Sequence, residues 1–160
     1  MVERLRVRHE VTLFTFGDAW DLLAPEYEGS DVRMVPIPGL RFKYKGERVA
    51  FRGTAGGAVR YLLWRIPELL DLLEERIRRE KPDLVITDFE PALPKAAGRC
   101  GVPVVSLNHQ HFLVVNDLSS LPADLRWYGD IMGAVVRAYC RGQARTIVSS
   151  FYAPPLKRAY

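Results

Sequence analysis

Three side chains in the middle of the chain are suited to acid–base chemistry and share a similar position in the sequence. Asp88 follows the apolar run 84–86, and His109 and His111 follow the apolar run 102–107. A carboxylate accepts hydrogen bonds, and histidine exchanges protons near neutral pH. These residues predict a site that handles protons or binds a polar ligand through hydrogen bonds.

The elements that must position these side chains form a predicted strand–helix–strand unit within residues 81–111. Both apolar runs are rich in β-branched residues, which is typical of buried parallel strands. Pro91 is placed to begin the intervening helix, and Gly101 is placed to end it. Because ligands of open α/β sheets bind outside the carboxyl ends of the strands, both polar segments are expected at one ligand site.

The rest of the chain continues the alternation of strands and helices. Further strands are predicted at 11–16, 32–37 and 146–151, and helices at 2–8, 18–23, 58–80 and 127–139. Pro67 is expected to kink the long helix or to open a second one. Residues 112–125 are predicted to be mostly loop. Trp20, Trp64 and Trp127 are predicted core residues. The apolar stripe of the last helix is predicted to be Trp127, Ile131, Val135 and Tyr139. The pattern predicts a single α/β domain over residues 1–160.

Composition narrows the class of protein. The chain has 48% hydrophobic and 26% charged residues, and no apolar run approaches the roughly 20 residues that span a bilayer. The first ten residues lack the apolar centre of a signal peptide. Cys100 and Cys140 form no CxxC pair, so we expect no disulfide and a cytoplasmic location. The net charge of +4 permits an anionic partner without requiring one.

Basic and aromatic residues alternate in segment 38–57, where Lys45 to Glu47 is predicted to turn a small hairpin. One interpretation is a solvated insertion. The other is a flap that faces an acceptor or a membrane. The interleaved aromatics also permit a non-catalytic module that binds an anionic surface or nucleic acid, although no nucleic acid partner is expected. The predicted flap residues are Arg41, Phe42, Lys43, Tyr44 and Phe51.

Three motifs, PDLVITD (82–88), GVPVVSLNHQH (101–111) and TIVSSFY (146–152), carry a family resemblance. In this order of elements, the chain resembles the N-terminal half of a GT-B glycosyltransferase over about residues 5–155. That group includes UDP-glucuronosyltransferases, antibiotic glycosyltransferases and the N-acetylglucosaminyltransferase that makes lipid II. The resemblance implies a Rossmann-like three-layer α/β/α domain with a mostly parallel sheet. It also implies metal-independent transfer from a nucleotide sugar, a UDP-sugar by expectation, to a small or lipid-linked hydroxyl acceptor.

The resemblance also implies roles for site residues. Family members carry a histidine base on a glycine-rich loop after their first strand, and an aspartate that matches Asp88 orients it. The alternative is that Asp88 caps the helix that follows Pro91, with Glu90 as the rival cap. Asp18 is likewise a predicted cap of helix 18–23. No metal is expected, because the histidines lack carboxylates or thiolates at ligand spacing, and two histidines in an extended segment would point to opposite sides. The predicted acceptor-binding residues are Gly17, Asp18, Glu90, Asn108, His109, Gln110 and His111.

The sequence departs from the family pattern at both ends. It begins inside the helix that follows the first strand and ends near the linker to the second, donor-binding domain, so we expect an inactive fragment. Strands 11–16 and 84–86 would then lack the partner between them. They could pair directly, take a strand from another copy in a homo-oligomer, or need an upstream segment, and the last alternative is favoured. Peripheral contact with the inner face of the membrane is a further expectation.

Overall fold

The computed structural model describes residues 1–38, 44–45, 48–49, 66–139, 142–151 and 155–158, and the structural statements below concern these residues. The chain divides into two compact units, Met1–Leu69 and Leu70–Tyr160. Within the described residues, no helix is both long enough and apolar enough to span a membrane.

The first unit is built on two parallel strands joined by a helix. After the short helix α1 (Val2–Leu5), strand β1 (Thr12–Thr15) leads through α2 (Gly17–Glu26) to β2 (Arg33–Pro36). Thr12 lies opposite Arg33, and Thr15 lies opposite Pro36. The core here contains Tyr27, Val32, Val35 and Ile37.

The predicted cap of α2 is wrong. The helix begins at Gly17, which has a φ of +55°, and the capping position is Phe16, which contributes no side-chain bond. Asp18 therefore lies inside the first turn, where its negative charge interacts favourably with the helix dipole. The helix also continues through Pro25 to Glu26, beyond its predicted end.

Part of the basic and aromatic segment is described. Strands β3 (Tyr44–Lys45) and β4 (Arg48–Val49) pair antiparallel, which confirms the predicted hairpin. Arg41, Phe42, Lys43 and Phe51 of the predicted flap lie outside the described residues, as do Trp64 and the side chain of Tyr44.

The second unit alternates helices with a three-stranded parallel sheet. Its helices are α3 (Ile66–Glu80), which crosses the boundary between the units, α4 (Ala92–Arg99), α5 (Phe112–Val115) and α6 (Ala123–Tyr139). Its strands are β5 (Val85–Thr87), β6 (Val104–Asn108) and β7 (Arg145–Val148), in the order β5–β6–β7. Pro67 lies in the first turn of α3, where its missing N–H costs no helical bond. The predicted loop 112–125 is wrong in part, because α5 and the start of α6 lie there.

Helices α3 and α4 are linked by the carboxylate of Glu74. Ala96 and Ala97 are fully buried, and such small side chains let α4 lie close to the sheet. Glu74 of α3 pairs with Arg99 of α4 at 2.8 Å and with Arg78 at 3.1 Å. The two guanidinium groups, with hydrogen bonding from Arg99 as the largest cause, lower the pKa of Glu74.

Helix α6 packs through Gly129, Gly133 and Val136 and not through its predicted apolar stripe. A Cβ atom on Gly133 would lie 3.1 Å from the main-chain oxygen of Leu113, and one on Gly129 would lie 2.9 Å from Leu118 Cδ1. This close approach turns Trp127 outward, where it is 68% exposed. The prediction that Trp127 is a core residue is therefore wrong, and Trp20 is only half-buried. Ile131 and Val135 on the same predicted stripe are also exposed.

The described strands form three separate sheets and not one. Strands β1 and β2 form the first, β3 and β4 the second, and β5 to β7 the third. Parallel strands joined by helices nevertheless confirm the predicted α/β class.

Candidate functional site

Three polar segments leave the β5–β6–β7 sheet at its carboxyl edge. Strands β6 and β7 end opposite each other, at Asn108 and Val148, and β5 ends at Thr87, opposite Ser106. The segments that follow are 88–90, 109–111 and 149–151. Because ligands of such sheets bind at this edge, these segments form the candidate site.

The turn after β5 is held in an unusual conformation. Phe89 has a φ of +51°, in the left-handed region that side chains other than glycine rarely adopt. The buried Thr87 hydroxyl donates to the main-chain oxygen of Glu90 at 3.2 Å, which closes the turn. A strained backbone of this kind is found at sites where a side chain must be aimed in a particular direction.

Glu90 caps helix α4. Its carboxylate accepts the main-chain N–H of Ala92 at 2.9 Å and that of Leu93 at 2.6 Å. Burial raises the pKa of Glu90, while these two hydrogen bonds and the charge of Lys95 act in the opposite direction. The interpretation of Asp88 as the cap is therefore wrong, and the rival assignment to Glu90 is confirmed.

Asp88 is left with a carboxylate that accepts no hydrogen bond from a described residue. The side chain is exposed, yet neighbouring protein atoms remove part of its hydration and raise the pKa of the carboxyl. The carboxylate is thus available to a hydrogen-bond donor.

Asn108 lies beneath the turn that follows β6 and organises it. It is 2% exposed, and its Oδ1 atom accepts the main-chain N–H of His111 at 2.8 Å. Its amide nitrogen faces the buried Ser106 hydroxyl in a short hydrogen bond and lies 3.4 Å from His111 Nδ1. These hydrogen bonds make Asn108 a support of the turn. Burial of the His111 ring lowers its pKa.

His109 lies on the exposed side of the same turn. Its Nδ1 atom is 2.6 Å from the main-chain oxygen of Ser149, which follows β7. The ring stacks on Phe112 with centroids 5.9 Å apart, and it lies 6.1 Å from the tilted ring of Phe151. Sequence reasoning missed Ser149, Phe112 and Phe151, although the segment after β7 reaches the same edge by the parallel-strand rule that located Asp88.

Gln110 carries an unsatisfied polar atom. Its Oε1 atom is shielded from solvent and has no hydrogen-bond partner among the described residues. Such an atom costs about 1–3 kcal/mol of stability, so a donor from water or a ligand would be favourable there.

Two of the predicted acceptor-binding residues belong to the first unit. Gly17 and Asp18 follow β1 in the other unit, where Gly17 is half-buried and Asp18 is exposed. Among the described residues, no three His, Cys, Asp or Glu side chains cluster closely enough to hold a metal ion.

Comparison with known proteins bears on both family and fold. A family model described as Glycosyl transferase family 1 matches residues 1–160. No curated protein matches the chain.

Two plant structures resemble the chain at low sequence identity. Arabidopsis thaliana UGT89C1, complexed with UDP-L-rhamnose, is 13% identical with a TM-score of 0.55, and the match covers 94% of this chain and 40% of that one. Glycyrrhiza uralensis UGT73P12, complexed with glycyrrhetinic acid 3-O-monoglucuronide, is 16% identical with a TM-score of 0.40, over 71% and 26%. The first likeness confirms the predicted Rossmann-like fold. This chain spans well under half the length of either structure.

Proposed function

This chain belongs to glycosyl transferase family 1, and we propose that it is the acceptor-binding half of an enzyme that transfers a sugar from a nucleotide sugar to a hydroxyl group. The observation that carries the proposal is the carboxyl edge of the β5–β6–β7 sheet. There the carboxylate of Asp88 is unengaged by described residues, and the rings of His109 and His111 lie on the neighbouring turn.

The reaction requires that the acceptor hydroxyl lose its proton. A base takes the proton of the acceptor hydroxyl as that oxygen bonds to the anomeric carbon of the donor. The bond from this carbon to the diphosphate breaks, and the nucleoside diphosphate leaves with both bonding electrons. In the proposal, the base is the histidine that the family resemblance implies, and Asp88 orients it and stabilises its charged form.

The donor is proposed to be a UDP-sugar, bound mainly by a second domain. The carboxylate of Asp88 and the two histidine rings at the sheet edge offer hydrogen-bonding groups for a hydroxyl. The structural relative bound to UDP-L-rhamnose supports a nucleotide-sugar donor. The acceptor is proposed to be a small or lipid-linked molecule, and the location to be the cytoplasm.

Release of UDP tests the proposal. The 160-residue chain alone should release no UDP from UDP-glucose, UDP-N-acetylglucosamine or UDP-L-rhamnose above a protein-free blank. The same chain joined to a sugar-nucleotide-binding domain should release UDP when a hydroxyl acceptor is added. Release by the chain alone would contradict its assignment as only the acceptor half. The absence of release from every joined protein would contradict the transferase assignment itself.

A further inference from the structure

The hydrogen bonds around His109 fix the position of its ring proton. A main-chain carbonyl oxygen can only accept a hydrogen bond, so Nδ1, at 2.6 Å from Ser149 O, must carry a proton. In the neutral ring, the other nitrogen, Nε2, then holds a lone pair. His109 makes no hydrogen bond through Nε2 to a described residue, and its side chain is exposed.

The surroundings of His111 impose the opposite arrangement. A main-chain N–H can only donate, so the atom of Asn108 that faces the His111 N–H must be oxygen. The amide nitrogen of Asn108 is therefore the atom that faces His111 Nδ1, at 3.4 Å. Because that nitrogen can only donate, Nδ1 of His111 is the acceptor and the ring proton resides on Nε2.

Nε2 of His111 also remains available to a ligand. The shielded side-chain nitrogen and oxygen atoms without partners, among the described residues, are Gln110 Oε1 and Gln143 Nε2. Nε2 of His111 is not among them and bonds to no described residue, and the residue is 8% exposed.

The local backbone allows both rings to serve one ligand. His111 has a φ of −60° and a ψ of −16°, so the segment is a turn and the expectation of opposite sides for an extended segment does not apply. Two residues span at most about 7 Å along the chain, which is comparable to the width of a sugar ring.

Two aromatic rings lie next to the ring of His109. Phe112 stacks on the His109 ring, and Phe151, which is fully exposed, lies on the same ring from the segment after β7. A ligand here would meet apolar ring surface beside polar nitrogen atoms. A sugar ring has this character, because its C–H faces are apolar and its edge carries hydroxyl groups that both donate and accept.

We propose that His109 and His111, held in opposite tautomers, bind the hydroxyl groups of a sugar unit in the acceptor. His109 Nε2 accepts a hydrogen bond from one hydroxyl, and His111 Nε2–H donates to a hydroxyl oxygen. Asn108 is a positioning residue that sets the tautomer of His111. The sugar-bearing class of acceptor rests on the proposed function, whereas the two tautomers follow from the hydrogen bonds alone.

Nitrogen NMR of the ¹⁵N-histidine-labelled chain at pH 8.5, where imidazole is neutral, tests the tautomers. His109 should show its proton on Nδ1, and His111 should show its proton on Nε2. Asn108→Asp keeps an oxygen facing the His111 N–H but replaces the donor at Nδ1 by an acceptor, so the His111 proton should move to Nδ1. His9→Gln, which removes an exposed histidine, assigns the third signal and should leave both others unchanged.

The ligand class is tested with two amphiphiles below their micelle-forming concentrations. Octyl β-D-glucopyranoside should shift the Nε2 signals of His109 and His111, and octylphosphocholine, which has the same chain without hydroxyl groups, should not. Equal tautomers in the two histidines, equal shifts with both amphiphiles, or no shift with either would overturn the proposal. These measurements need no donor sugar, so a failure here is distinct from a failure of sugar transfer.

Discussion

The carboxylate of Glu90 accepts the main-chain N–H of Leu93 at 2.6 Å, and this bond separates the roles of the two acidic residues after β5. Glu90 also holds the N–H of Ala92, so two of the free donors at the start of helix α4 are satisfied by one side chain. Asp88 is not needed for the helix and is available for chemistry.

This division of roles predicts different costs for two substitutions. Glu90→Ala should lower the free energy of unfolding by about 1–2 kcal/mol, because it removes both capping bonds. Asp88→Ala, the matched control, should change it by less than about 0.5 kcal/mol. Urea unfolding followed by circular dichroism measures both. An equal loss in the two variants would contradict the assignment of the cap.

The glycine packing of α6 predicts a second contrast. Gly133→Ala should destabilise the chain by about 1–3 kcal/mol, because the new Cβ would press on a main-chain oxygen that cannot move aside. Gly98→Ala in helix α4 meets nothing within 4 Å, so it should stabilise the chain by about 0.5–1 kcal/mol through helix propensity. Thermal unfolding of both variants is the measurement, and the interpretation fails if Gly133→Ala is stabilising.

The lowered pKa of His111 predicts a pH dependence of stability. The unfolded chain takes up a proton on this ring near pH 6.5, whereas the folded chain does so only at lower pH. Between these two values the unfolded state binds more protons, so the free energy of unfolding should fall as the pH drops below about 6.5 and level off below the folded pKa.

The difference between variants isolates this contribution. His111→Gln should reduce the slope of the free energy of unfolding against pH in that window. His9→Gln alters an exposed residue and should have the same slope as the unsubstituted chain. Denaturant titrations at a series of pH values give the slopes. Identical slopes in the original chain and in His111→Gln would show that the ring is not held neutral in the folded state.

The predicted flap 38–57 should act at membranes only if the acceptor is lipid-linked. Phe42, Tyr44 and Phe51 would then enter the interface, while Arg41 and Lys43 meet anionic headgroups. Co-sedimentation should show more chain bound to anionic than to neutral vesicles, and Arg41→Glu with Lys43→Glu should abolish the difference. Equal binding to both vesicle types, or none to either, would exclude this role.

The strand edges predict self-association. Strands β5 and β7 are the outer strands of the described three-stranded sheet, and unpaired edges favour pairing with another copy. Sedimentation velocity of the 160-residue chain should show oligomers whose share grows with concentration. A stable monomer at all concentrations would contradict this expectation.

The sequence was informative where local residue types decide the structure. The runs around Val85 and Val104 gave strands because β-branched residues lie between turn residues, and Pro91 with Gly101 bounded α4 as predicted. Asp88 and the two histidines were located at the sheet edge by the same reasoning.

Other features depend on contacts that no local pattern contains. The inward face of α6 includes Gly129 and Gly133, which have no side chain and are therefore not recognised in an apolar pattern. For this reason the prediction placed Trp127 on the buried side. The bond from His109 to Ser149 joins residues 40 positions apart, and it exists only because β6 and β7 are neighbours in the sheet.

Turnover of Asp88→Asn tests the central claim most directly. The assay measures UDP release in a protein that carries this chain together with a sugar-nucleotide-binding domain, with Asp83→Asn, an exposed residue before β5, as the matched control. The account predicts that kcat falls by about 10²–10⁴ in Asp88→Asn, in the range for loss of acid–base support, while stability is unchanged. It predicts no such fall in the control. Unchanged turnover in Asp88→Asn would contradict the account.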